Sequence, residues 1–192
     1  MSFFDGVPAS LLYAGPPQDY PAAAAASSAA QSLVTGASGG FSQPYIPQGL
    51  FQIGKAGTCI WGSANGKVTG QASATTAIIT MGLATSANSI SGTTLVAPPA
   101  ITVTSLSNVG WEFDFKIVMR SAGYGTTTVA TSLITSAVFS VGSTNLQTTA
   151  PPNLVTTIDA SVTQWLYFSV TFSTASATNS ATLQEILAVT AS

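Results

Sequence analysis

Between Gly110 and Ser121 the chain alternates apolar and polar positions with period two. Trp111, Phe113, Phe115, Ile117 and Met119 fall on one side, and Glu112, Asp114, Lys116, Val118 and Arg120 on the other. Alternation sustained over this length fits an extended strand and not a helix, whose faces repeat every 3.6 residues. Burying each large apolar side chain contributes about 1.5–3 kcal/mol, so this strand is expected to anchor a core. Gln164–Phe172 reads the same way. Leu166, Phe168, Val170 and Phe172 share one face; Trp165, Tyr167, Ser169 and Thr171 share the other. With aromatics on both sides, the second face also needs cover, from the chain's own loops or from another subunit, where Trp and Tyr are enriched.

Shorter runs rich in Thr, Val and Ile predict further strands at Leu50–Ile60, Thr76–Ala84, Ala100–Leu106, Ser132–Val141, Leu154–Asp159 and Ala181–Thr190. Val68–Ala74 follows Asn65-Gly66, a pair that favours a tight hairpin turn. Pro98-Pro99, Gly123-Tyr124-Gly125 and Pro151-Pro152 mark loops or turns. About seven to nine strands joined by short turns predict an all-β, antiparallel two-sheet sandwich over residues 47–192.

Residues 1–46 differ from the rest. Pro8, Pro16, Pro17, Pro21 and Pro44 punctuate them, and Ala22–Ala30 is an Ala/Ser tract. A short helix near 21–34 suits Pro21 at its first position and Gly36 at its end, but so short an Ala/Ser segment needs a partner surface. Phe3, Phe4, Tyr13, Tyr20, Phe41 and Tyr45 are scattered through the region without period. A disordered tail has few aromatics. The region is therefore expected to be an extended, mostly irregular N-terminal arm that lays these rings on a neighbour.

Composition changes the functional picture more than the fold. The 192 residues include 25 Ser and 27 Thr, only 4 Lys and Arg, 6 Asp and Glu, and no His, for a formal charge of −2. Without His there is no Ser-His-Asp triad and no His-ligated zinc, and the single Cys59 forms no internal disulfide. Four cations neutralise too few phosphates for nucleic-acid binding. The first twenty residues lack the basic start of a secretory signal, and no apolar run approaches the ~20 residues of a spanning helix, so a soluble, non-membrane protein is expected. With 5% charged residues, hydroxyls must cover the surface, and such a surface repels copies of itself weakly.

No motif points to catalysis or to a cofactor. Gly54-Lys55-Ala56-Gly57-Thr58 has the wrong order for a phosphate loop. Glu112 and Asp114 stand roughly 7 Å apart on one strand face, but Lys116 and Arg120 share it, which makes a mixed-charge, solvated or subunit-facing network the simpler reading. Cys59, beside Ile60 and Trp61, reads as a small buried hydrophobe.

The strand Gly110–Ser121, the Gly-rich turn after it and the segment Ser136–Gly142 resemble jelly-roll virion proteins of tailed bacteriophages. So do the strand Trp165–Phe172, the Ser/Thr/Asn turn Ser173–Ser180 and the closing Thr182–Leu187. The resemblance covers residues 49–192. It implies a non-enzymatic head decoration, head-fibre or minor capsid protein, trimer-prone, made in the host cytoplasm and bound to the virion head surface. The expected partner is the major capsid protein, contacted through the arm residues Phe3, Phe4, Tyr13, Tyr20, Phe41 and Tyr45. Trp165, Tyr167, Glu112, Asp114, Lys116 and Arg120 are the expected subunit interface. A receptor- or glycan-binding fibre module is the alternative, with Trp61 and Tyr124 stacking on sugars near predicted turns. A shell-forming coat protein is a further one.

Overall fold

The computed structural model describes residues 9–14, 23–24, 29–33, 43–48, 50, 58–121, 130–142, 144–146, 155–159 and 161–191. Every element among them is a strand. In chain order these are β1 (Ala9–Ala14), β2 (Ala23–Ala24), β3 (Gln31–Ser32), β4 (Tyr45–Ile46), β5 (Cys59–Thr69), β6 (Thr76–Ala84) and β7 (Thr93–Val96). They continue with β8 (Ile101–Thr102), β9 (Val109–Ser121), β10 (Ala130–Val141), β11 (Thr144–Leu146), β12 (Val155–Asp159), β13 (Gln164–Phe172) and β14 (Ser180–Ala191).

Two antiparallel sheets pack face to face. The first runs β1-β14-β5-β9-β10-β11, with β2 also on β14 and β12 also on β10. The second runs β3-β13-β6-β7, with β4 also on β13 and β8 also on β6. The first strand thus neighbours the last, and the N-terminal strands β3 and β4 neighbour the penultimate one. This nested order, β1-β14-β5-β9 over β3/β4-β13-β6-β7, is jelly-roll-like. The alternation read in β9 decides its orientation: Trp111, Phe113, Phe115, Ile117 and Met119 are buried, while Glu112, Asp114 and Lys116 are exposed. Phe168 of β13 meets Phe113 edge-on at 5.9 Å between centroids and lies 6.3 Å from Phe115, joining the sheets at the centre of the core.

The N-terminal region is where the sequence expectations need correction. The helix expected near 21–34 is absent among the described residues; Ala23–Ala24 and Gln31–Ser32 are short strands. β1 and β2 lie end to end along the free edge of β14, Ala9 opposite Ala191 and Ala24 opposite Ser180. β3 and β4 lie end to end along β13, Gln31 opposite Val170 and Ile46 opposite Gln164. Leu33 and Ile46 are buried in the common core. Gln43 is buried as well, donating from Nε2 to Leu166 O at 2.9 Å and accepting from Asn88 N at 2.6 Å through Oε1. The described parts of residues 1–46 thus belong to the sandwich, and the boundary expected at 46/47 falls inside it. Covering one edge of each sheet satisfies backbone groups of β14 and β13 that would otherwise template further pairing.

A second correction concerns Asn65-Gly66. These residues sit inside β5, which runs unbroken from Cys59 to Thr69, and no hairpin forms there. A Cβ on Gly66 would strike the Thr182 carbonyl oxygen and lie 2.8 Å from Trp111 Cζ2. The glycine serves close packing of the Trp111 ring, whose Nε1 donates to Thr182 O at 3.1 Å. The strand predicted at Ala100–Leu106 is confined to Ile101–Thr102, and Cys59 is buried with a free thiol.

Candidate interaction surfaces

Two of the aromatic positions singled out in the sequence meet in space. Tyr45 of β4 is the Cα partner of Trp165 in β13, and their rings lie 5.3 Å apart at 47°. Tyr45 is 45% exposed and Trp165 is half-buried. Val162, just before β13, is also exposed. The result is an aromatic ledge at the seam between an N-terminal strand and the second sheet.

Tyr167, expected beside Trp165 in a subunit interface, is 2% exposed. It lies across from Gly82 of β6, where a Cβ would run into the Tyr167 ring and hydroxyl. The missing side chain leaves a slot that the tyrosine fills, so this residue is covered within its own chain. It is not available to a partner.

The outer face of the first sheet carries Glu112, Asp114 and Lys116, all exposed. Val138 of β10, 43% exposed, is the Cα partner of Asp114, and Trp61 of β5 is the partner of Lys116. Trp61 is half-buried on this sheet face, away from the turn where a sugar-stacking loop residue was expected. Asn65 Nδ2 donates to Glu185 Oε2 at 3.1 Å on the same face. The exposure of Val138 was legible from the alternation around Ala137 and Phe139, which point inward.

Phe3, Phe4, Tyr20, Phe41 and Tyr124 lie outside the described residues, as do the side chains of Tyr13 and Arg120; Tyr13 contributes backbone to β1 and Arg120 to β9. Among the described residues no group of three or more His, Cys, Asp or Glu is placed to hold a metal ion. No described helix is long and apolar enough to cross a membrane. No family model, curated protein or solved structure matches the chain.

Proposed function

We propose that the protein is a non-enzymatic virion structural protein, a decoration or cement protein on the head surface of a tailed bacteriophage. The observation that carries this reading is the Tyr45–Trp165 ledge on a jelly-roll-like sandwich whose chain has only 5% charged residues. An exposed Tyr packed on a half-buried Trp supplies contact area at low entropic cost, and such residues dominate the energetics of protein interfaces. The major capsid protein is the partner that this ledge would contact. The mixed apolar and charged face of Trp61, Glu112, Asp114, Lys116 and Val138 would join copies of the chain, with a trimer as the favoured assembly. Anything that binds only the assembled shell stabilises it by mass action, and that is the work of a cement protein.

The test is co-sedimentation of the full chain with empty head shells built from the major capsid protein of the same phage. Saturable binding at a fixed ratio to capsid subunits supports the proposal. Absence from shells together with binding to host cells would favour the fibre reading. Shells formed by this chain alone would favour a coat protein.

A further inference from the structure

Asn65-Gly66 forms no turn, yet the fold requires each of the two residues for its own reason. Asn65 Nδ2 donates to Glu185 Oε2 at 3.1 Å. Gly66 leaves no room for a Cβ, which would strike the Thr182 carbonyl oxygen and crowd the Trp111 ring. The chain therefore keeps side by side two residues whose combination is chemically labile. An asparagine side chain is open to attack by the next backbone nitrogen, and a following glycine brings no side chain to obstruct the approach. The other five asparagines are followed by Ser, Val or Leu.

The reaction is an imide closure followed by hydrolysis. Gly66 N bonds to Asn65 Cγ, the nitrogen's proton passes to water, and the side-chain nitrogen leaves as ammonia. Water then opens the five-membered imide at either carbonyl. One opening gives aspartate. The other gives isoaspartate, in which the main chain runs through the former side-chain carbons and is one atom longer.

Strand β5 opposes the closure. It is an interior strand, with Asn65 paired to Glu185 of β14 and Glu112 of β9, and Gly66 to Leu183 and Trp111. Backbone N–H groups in such a strand are committed to its neighbours, and Gly66 is buried. Closure also needs a ψ at Asn65 far from the roughly +135° of antiparallel strands. A chain that leaves the sandwich loses all three restraints. The product, in turn, does not suit the place that asparagine leaves. A carboxylate at position 65 donates nothing to Glu185 and stands directly opposite both Glu185 and Glu112, and like charges so placed destabilise a ladder. The longer main chain of isoaspartate disturbs the register with both neighbours.

We infer that Asn65 is a modification site opened by unfolding: its side-chain amide is lost when β5 leaves the sandwich, and the carboxylate that forms hinders the strand's return. A chain that stays unfolded is thereby withdrawn from folding. The site does not depend on shell attachment.

The experiment holds the full chain in mildly alkaline buffer, with and without denaturing urea, and follows Asn65 over time. Trypsin cuts after Lys55 and Lys67, so residues 56–67 are read as one peptide by mass spectrometry, and isoaspartate is separated from aspartate by retention. Conversion at Asn65 should be at least about tenfold faster in urea than in buffer, where its rate follows the small population of the open form. In urea it should also outpace conversion at the other five asparagines. On removal of urea, the converted peptide should be enriched in the fraction that fails to refold. Asn65→Asp should lower Tm, and Glu185→Gln in that background should recover part of the loss, since it removes a charge and supplies a donor. Equal conversion in buffer and urea, no preference for Asn65 in urea, equal refolding of converted chains, or an Asn65→Asp chain as stable as wild type would overturn the inference.

Discussion

Trp165 stands directly opposite Tyr45 across the β4–β13 ladder, and the two rings pack at 5.3 Å with Tyr45 still 45% exposed. In sequence they lie 120 residues apart, one in the proline-rich start and the other in a late strand. The pair both fastens the N-terminal strand to the second sheet and presents aromatic area to a partner. Aromatic pairs of this geometry contribute about 0.5–1.5 kcal/mol beyond area burial. A double-mutant cycle of Tyr45→Ala and Trp165→Ala, read by chemical denaturation, should return a coupling of that size. A coupling indistinguishable from zero would remove the fastening role.

Residues 1–46 are expected to be indispensable to folding. They supply Leu33 and Ile46 to the core and the strands that cover β13 and β14. Loss of each buried aliphatic side chain costs about 2–5 kcal/mol, against a total stability of about 5–15 kcal/mol for a domain. A chain of residues 47–192 should therefore lack a cooperative thermal transition and aggregate through its opened edges. Within the full chain, Gln43→Ala should cost about 1–3 kcal/mol, because Leu166 O and Asn88 N both lose a buried partner.

Gly82→Ala should be destabilising by about 1–3 kcal/mol, the usual cost of overpacking a filled site. The added methyl would meet the Tyr167 ring and lie 2.7 Å from Thr93 O. Because the ring is the flexible half of the clash, Tyr167→Ala should cost less in the Gly82→Ala background than in wild type. Additive losses, measured by urea denaturation, would place the strain in the backbone near Thr93 instead.

These positions also show why some features were legible in the sequence and others were not. β9 could be read because large apolar side chains alternate with mostly polar ones along it, and β13 because Leu166, Phe168, Val170 and Phe172 recur with period two, although Trp165 and Tyr167 put rings on its other face. β1 to β4 carry no such signal. They are short, Ala- and Pro-flanked pieces whose extended form comes from the edges they pair with, and local propensity is silent on pairing. Asn65-Gly66 misled because the same dipeptide that favours a turn also gives a strand room for a neighbouring indole. The alternation in β13 puts Trp165 on the face away from the core, but its packing against Tyr45 follows only from the β4–β13 register. Nothing near Tyr167 in sequence reveals the slot left by Gly82, which buries its ring within its own chain.

Self-association is expected to run through the outer face of the first sheet. Val138 and Trp61 give that face apolar area, and Lys67 and Lys116 are its cations among the described side chains. Lys116→Glu would place three carboxylates along one strand face beside Glu112 and Asp114, and like charges so close repel when desolvated. Light scattering on a size-exclusion column should give a trimer mass for the wild-type chain and a monomer mass for Lys116→Glu, with unchanged Tm at low concentration. A wild-type monomer would remove this face from the assembly.

The most direct test of the proposed role is the dissociation constant of the full chain for head shells, compared between wild type and Trp165→Ala in a pelleting isotherm. The account predicts tight, saturable binding by wild type and at least about tenfold weaker binding by folded Trp165→Ala, because hot-spot aromatics carry a disproportionate share of interface energy. Equal affinity of the two proteins, or no binding by wild type, would contradict it.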